Sequence, residues 1–149
     1  MINVELEKNH HIAVYHLTYN IQNLKQPGVK TENRILELTF DFSLQIIALY
    51  RELVSQKEFV LSKQLLRSGT SIGANVEEAN AAQSKREFIS KMSIASKEAR
   101  ETRYWLRLLD KSKMVNLNYT NHLASVEHII NILTKIVKTA QVAILNAKT

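Results

Sequence analysis

Apolar side chains recur every three or four residues along most of this chain, which is the spacing of an amphipathic helix. The first such segment runs from Thr31 to about Ser55 and carries two adjacent apolar stripes. The first stripe comprises Ile35, Leu38, Phe42, Ile46, Leu49 and Leu53, and the second comprises Leu36, Phe40, Leu44, Ile47 and Val54. An apolar arc this wide predicts a helix that is central in a bundle or that contributes to an oligomer interface.

Two more helices are predicted directly downstream. The second spans about Val60 to Ala82 and contains an unusual run of small residues. Ser84, followed three residues later by Glu87, has the spacing of a capping box and indicates the start of the third helix. The apolar positions of that third helix keep a heptad spacing from Phe88 to Leu109.

A short linker leads to a fourth helix, with Thr120 or Asn121 as its expected cap and an apolar stripe from Leu123 to Ile144. A second set of apolar residues widens its face: Ile129, Ile132 and Ile136. Four long helices with short connections predict an all-α fold, an up-down-up-down antiparallel four-helix bundle over residues 29–149. The surplus stripes on the first and fourth helices predict self-association, because monomers rarely expose large contiguous apolar patches.

Residues 1–28 differ from the rest of the chain. Four apolar residues there, Val14, Leu17, Ile21 and Leu24, suit one short helix that Pro27 and Gly28 would end. We interpret the segment as an N-terminal extension, either disordered or a short helix. It is either a loosely docked arm or the product of a start codon assigned too far upstream.

Composition supports one helical domain in a reducing compartment. The chain has 149 residues with one proline and three glycines, too few turn formers for a sheet protein. It has no cysteine, which excludes disulfides and cysteine-ligated zinc and suits the cytoplasm. No uninterrupted apolar run approaches the roughly 20 residues of a membrane helix, so no membrane partner is expected.

The formal net charge of +6 is concentrated in one stretch. Residues 84–113 hold nine Lys and Arg against four Asp and Glu. One side of the third helix carries the candidate nucleic-acid-binding residues, which we name the basic ridge: Lys97, Arg100, Arg103, Tyr104, Arg107 and Lys111. Arginine forks match phosphate oxygens and an exposed tyrosine can stack on a base. The alternative is a solvated surface neutralised by pairs within the helix.

The small-residue segment, residues 67–79, lies in the middle of the second helix. Gly69 and Gly73 are four residues apart, as are Ser71 and Asn75, so each pair shares one helical face. Each mid-helix glycine costs roughly 0.5–1 kcal/mol relative to alanine, which calls for a packing or functional reason. The glycines predict close approach of a neighbouring helix, and Gly73→Leu is expected to disrupt folding or assembly.

Catalytic and metal chemistry find little support in the sequence. The Glu-x-x-His pairs of di-iron bundles are absent, and His122 and His128 are six residues apart and share no helical face. No Gly-x-Ser-x-Gly elbow is present, and Gly73 is not followed by the Lys-Ser/Thr of a phosphate loop. We therefore expect no enzyme, no metal and no cofactor.

Residues 61–79, LSKQLLRSGTSIGANVEEA, and the continuation SKREFI at 84–89 resemble the bacterial four-helix bundle proteins encoded in 23S ribosomal RNA intervening sequences. Ala95, Ala99, Glu101 and Trp105-Leu106 extend the match, which covers roughly residues 32–144 and carries the pattern Arg-Ser-x-x-Ser-Ile-x-x-Asn-x-x-Glu. The same family includes the accessory variability determinants of diversity-generating retroelements.

The resemblance implies a homopentameric ring of four-helix bundles without enzymatic activity. It also implies that Arg67, Ser71, Asn75 and Glu78 are core and register positions. Retroelement members associate with a reverse transcriptase and with nucleic acid. Two functions follow as hypotheses: binding of RNA or DNA through the basic ridge, or a scaffold that docks an acidic partner or a reverse transcriptase.

Overall fold

Four long α-helices make up the part of the chain that the computed structural model describes, residues 31–147 with side chains from Arg34 onward. They are α1 (Thr31–Ser55), α2 (Leu61–Asn80), α3 (Lys85–Ser112) and α4 (Thr120–Asn146). These bounds confirm the helices that periodicity predicts to within two residues at the ends of α1 and α2. The N-terminal extension, residues 1–28, lies outside the described residues.

The helices form an antiparallel four-helix bundle, as the heptad pattern predicts. Each helix packs against the next in sequence, and α1 and α4 close the ring through a smaller contact. The core is built from the predicted stripes, with six of the seven α3 stripe positions fully buried: Met92, Ala95, Ala99, Thr102, Leu106 and Leu109. Because α1 and α3 are not neighbours, their outer faces lie on opposite sides of the bundle.

The glycines of the small-residue segment bring α2 against α1. A Cβ atom added at Gly69 would lie 2.8 Å from Cγ2 of Ile46, closer than real contacts allow. At Gly73 it would lie 3.2 Å from Oγ of Ser43 and 3.3 Å from the carbonyl oxygen of Thr39. The prediction of close helix approach is confirmed, and the helix that approaches is α1.

Glu58 supplies the start of α2, a role that the sequence did not suggest. Its carboxylate accepts hydrogen bonds from the backbone N–H groups of Val60, Leu61 and Ser62 at 3.0, 2.9 and 2.6 Å. Burial acts to raise the pKa of Glu58, but these backbone donors outweigh it and hold the pKa below its usual value. The carboxylate thereby satisfies three amides that a helix start leaves without partners.

The caps of α3 and α4 differ in how well the sequence predicts them. At α3 the Ser84 hydroxyl accepts from the Glu87 amide at 3.1 Å, which confirms the capping box. At α4 the capping position is Tyr119, so the expected Thr120 or Asn121 cap is wrong. The Tyr119 ring is buried and its hydroxyl donates to the carbonyl of Val115 at 3.1 Å, so a linker tyrosine joins the core.

The surplus apolar stripes of α1 and α4 differ in how exposed they are. On α1, Phe40, Leu44 and Ile47 remain 60%, 50% and 41% exposed, as the self-association argument requires. On α4 the expected surplus is wrong, since Ile129 is buried while Ile132 and Ile136 pack half-buried against the core.

By length and composition, α4 could also cross a membrane, although it contains no uninterrupted apolar run. In this bundle its buried side chains are core residues: Val126, Ile129, Ile130 and Leu133. Burial in the bundle covers 17% of the apolar window, so packing explains part of the apolar character of α4.

Candidate nucleic-acid interface

The polar pair of the small-residue segment, Ser71 and Asn75, lies on the opposite side of α2 from Gly69 and Gly73. Ser71 and Asn75 are half-buried, and the Asn75 amide donates to the Ser71 carbonyl at 2.9 Å and to its hydroxyl at 3.2 Å. Both bonds stay within α2, so Asn75 bonds along its own helix rather than to a neighbour. Gly73, by contrast, is buried against α1 as a structural position.

Arg67 and Glu78 are exposed, which corrects their expected placement in the core. Arg67 pairs with Glu101 and lies 3.5 Å from Glu98, and Glu78 pairs with Lys91, so both residues tie α2 to α3 at the surface. The hydrogen bond from Arg67 is the main cause that lowers the pKa of Glu101.

These pairs draw the acidic side chains of α3 away from its outer face. Glu98 and Glu101 turn toward Arg67 on α2, and Glu87 accepts from the backbone amide of Gln83 at 2.9 Å in the helix cap. Asp110 lies 3.5 Å from both Lys111 and Lys113 at the C-terminal end of α3. The outer face of α3 is thereby left to its cations.

The structure places the six residues of the basic ridge along the outer face of α3 and its edge toward α4. Lys97, Arg100, Tyr104, Arg107 and Lys111 are exposed and Arg103 is half-buried. From residue 97 to residue 111 the face is about 21 Å long at the α-helical rise. The sequence-predicted residues are therefore assembled on one continuous surface.

Two cations of the basic ridge are partly neutralised by neighbouring carboxylates. Arg103 forms an ion pair with Glu127 of α4 at 2.7 Å, and Lys111 lies near Asp110. Arg100 makes only a long contact, 3.4 Å from its Nη2 to the hydroxyl of Thr134. Within the described ranges, Lys97 and Arg107 have no ion pair, so three strong cations stay available for a ligand.

The contacts of Arg100 and Arg103 also show how α3 and α4 lie side by side. Residue 100 meets residue 134 and residue 103 meets residue 127, so the two helices run antiparallel in a defined register. Lys138 follows Thr134 by one turn on the same face of α4 and is exposed, level with Lys97. Sequence reasoning missed Lys138 because only the register of α4 brings it to the basic ridge.

Tyr104 gives the basic ridge an aromatic surface. Its side chain is 53% exposed, and its ring stands edge-on to Trp105, with ring centroids 5.0 Å apart and planes at 70°. The Trp105 indole N–H donates to Glu101 at 3.1 Å, so Trp105 is fixed on the α2 side. Trp105 thus supports one edge of Tyr104, whose ring stays partly open to solvent between Arg100 and Arg107.

No group of three His, Asp or Glu side chains in residues 34–147 is placed to hold a metal ion. His122 is half-buried between helices rather than grouped with acids, and this burial lowers its pKa while the backbone at Gln45 offsets part of that effect. His128 is exposed one helical turn and a half away. The described surface therefore offers charge and stacking rather than a metal centre.

Comparison with known proteins identifies the family. The family described as 23S rRNA-intervening sequence protein matches residues 31–135, which is most of the chain and nearly all of the bundle. The chain belongs to this family. A search of curated proteins finds no match.

A solved structure supports the same assignment. It is a protein of unknown function from the S23 ribosomal protein family of Bacteroides thetaiotaomicron, 45% identical to this chain, with a TM-score of 0.69. The match covers 73% of this chain and 99% of that one. The four-helix bundle thus corresponds to nearly the whole of the neighbour.

Proposed function

We propose that this protein is a non-enzymatic, homo-oligomeric bundle that binds RNA or DNA through the basic ridge of α3. The observation that carries the proposal is the segregation of charge on α3: its acids are bound at the α2 edge, at the cap or at the C-terminal end. Lys97, Arg100 and Arg107 remain exposed around Tyr104. Cations that follow a backbone beside an aromatic ring are the usual means of binding single strands without sequence preference.

The family and the charge of the chain support this proposal. The family is named for an intervening sequence of 23S rRNA, which makes RNA the first nucleic acid to test. A net charge of +6 favours approach to a polyanion at long range. The five-copy ring that the resemblance implies would repeat the basic ridge and add avidity without any new contact.

Charge reversal with a matched control tests the proposal. Arg100→Glu/Arg107→Glu should abolish retention of labelled RNA, while Lys57→Glu/Lys63→Glu should leave most of it. Both variants change the net charge from +6 to +2, and all four residues are exposed. Equal loss in the two variants would mean that only overall charge matters, and retention by both would refute the basic ridge.

A second candidate function is a scaffold whose basic ridge docks an acidic protein surface, a reverse transcriptase among the possible partners. The Arg103–Glu127 pair favours it, because it shows a carboxylate bound at the edge of this face. A pull-down from nuclease-treated lysate separates the two functions. A partner that survives nuclease and is lost with Arg100→Glu/Arg107→Glu would support the scaffold, whereas loss of the bound material on nuclease treatment supports nucleic acid.

A further inference from the structure

The outer face of α1 carries a second heptad pattern that the core does not use. Its positions, which we name the outer seam, are spaced 3, 4, 3, 4 and 3: Glu37, Phe40, Leu44, Ile47, Arg51 and Val54. The three central apolar residues are 41–60% exposed, and Val54 is half-buried. Such an a/d repeat is the pattern by which one helix packs along another.

The neighbouring surface of α2 widens this apolar face. Gly69 and Gly73 hold α2 against α1, and on the adjacent side of α2 Leu66, Thr70 and Ala74 follow at four-residue spacing. Leu66 and Thr70 are half-buried and Ala74 is exposed, so none of them covers the outer seam. The result is a shallow, largely apolar face that a second helix could occupy.

The charges of the outer seam determine the orientation of a partner. Glu37 and Arg51 lie seven residues before and seven residues after Leu44, and both are exposed. Neither forms an ion pair within the described part of the chain. The seam therefore has an acidic end, an apolar centre and a basic end.

This arrangement is complementary to itself when reversed. If two copies of α1 pack antiparallel with a two-fold axis near Leu44, Glu37 of each copy lies level with Arg51 of the other. Phe40 and Ile47 then interdigitate around the axis. A parallel pairing would instead set Glu37 against Glu37 and Arg51 against Arg51, and like charges facing each other across a helix interface are unfavourable.

We infer that the outer seam of α1 is covered by the outer seam of a second copy of this chain, packed antiparallel about a two-fold axis near Leu44. The inference rests on the proposed self-association and adds its surface and its symmetry. It is independent of nucleic-acid binding, since α1 and α3 lie on opposite sides of the bundle. In a two-fold contact each residue pair occurs twice, so every substitution acts twice.

A charge-swap series measured by light scattering tests the inference. Glu37→Arg or Arg51→Glu alone should each raise the dissociation constant about tenfold, because each change places like charges together at two sites. The double variant Glu37→Arg/Arg51→Glu should restore association to within about threefold of the unaltered protein, since the reversed pairs attract again. Lys63→Glu is the matched control for exposed charge and should have no effect. Circular dichroism should show the same helicity in every variant.

Restoration in the double variant supports the inference, because the antiparallel contact sets residue 37 of one copy level with residue 51 of the other. If all three variants associate as the unaltered protein does, the outer seam is not the contact, although self-association itself would stand. An oligomer weakened by both single changes and weakened further by the double change would overturn the two-fold arrangement. A monomer at all concentrations, with the 17.1 kDa mass of one chain, would overturn self-association and the inference together.

Discussion

The small-residue segment of α2 and the basic ridge of α3 are neighbours in the bundle with opposite relations to the rest of the molecule. The glycines and the polar pair of the small-residue segment have internal contacts: Gly73 against Thr39 and Ser43, Asn75 on Ser71. Along the basic ridge, Lys97 and Arg107 have none in the described part of the chain. Residues accounted for by internal contacts point to architecture, and exposed charges without such contacts point to a partner outside the molecule.

The largest expected effect tests the architectural half of this comparison. Gly73→Leu should lower the free energy of unfolding by about 3 kcal/mol or more, because its side chain would enter space already filled by the α1 backbone at Thr39. Ala124→Leu, at an exposed position of α4, is the control and should change stability by less than about 0.5 kcal/mol. Urea unfolding followed by circular dichroism measures both values. Equal effects at the two positions would show that the close approach to α1 does not matter.

The next largest expected effect tests the basic ridge, the other half of the comparison. Tyr104→Ala should weaken binding of single-stranded RNA by about 1–3 kcal/mol, the usual contribution of one stacked base. The free energy of unfolding of the protein should not change, because Tyr104 is half-exposed. Fluorescence anisotropy with a labelled oligonucleotide measures the affinity. Tyr104→Phe keeps the ring and should bind as well as the unaltered protein. If alanine binds equally well, the ridge acts through charge alone.

The smallest expected effect is a pH dependence of stability, which tests whether the α1–α4 side belongs to the packed part of the molecule. Burial lowers the pKa of His122 in the folded state, so the unfolded chain binds more protons near its ordinary pKa of about 6.5. Stability should therefore fall as the pH drops through that value and level off below the folded pKa. His122→Gln should remove this part of the pH dependence, as seen in urea unfolding between pH 5 and pH 8.

His128→Gln is the control for that experiment, because His128 is exposed on the same helix. If the two glutamine variants lose the same pH dependence, or if neither loses any, burial of His122 does not contribute to the pH response of the bundle.

Helices, their order and most of the core follow from the sequence, because a 3-4 apolar spacing has one simple physical outcome. The stripe from Met92 to Leu109 is buried as predicted. Tyr119 was missed because a tyrosine in a polar linker gives no periodic signal, and its burial depends on the Val115 carbonyl that receives its hydroxyl. Glu58 was missed for a related reason. It caps the start of α2 from the preceding loop, and the conformation of a loop gives no periodic signal in the sequence.

Sequence spacing predicted which residues form the candidate site, but it did not predict their ion pairs or the cations that neighbouring helices add. Heptad spacing places Lys97, Arg100, Tyr104 and Arg107 on one surface. The pairing of Arg103 with Glu127, and the position of Lys138 level with Lys97, depend on the register between α3 and α4. That register is set by core packing across two helices, which local spacing does not encode.

The outer seam of α1 extends the same comparison, because it is an apolar pattern without an internal contact. Its residues lie on the opposite side of the bundle from the basic ridge, so the proposed self-association and the proposed nucleic-acid binding would use separate surfaces. Variants of Glu37 and Arg51 should therefore affect assembly and leave the intrinsic affinity of one copy for RNA unchanged.

The central claim, that the basic ridge contacts phosphates, is tested most directly by the salt dependence of RNA affinity. Each phosphate contact to a single strand contributes about 0.7 to the slope of log affinity against log salt concentration. Arg100→Gln/Arg107→Gln should therefore reduce the slope by about 1.4, whereas Lys57→Gln/Lys63→Gln should leave it unchanged. A slope that is the same in all three proteins, or an affinity that does not respond to salt, would contradict this account.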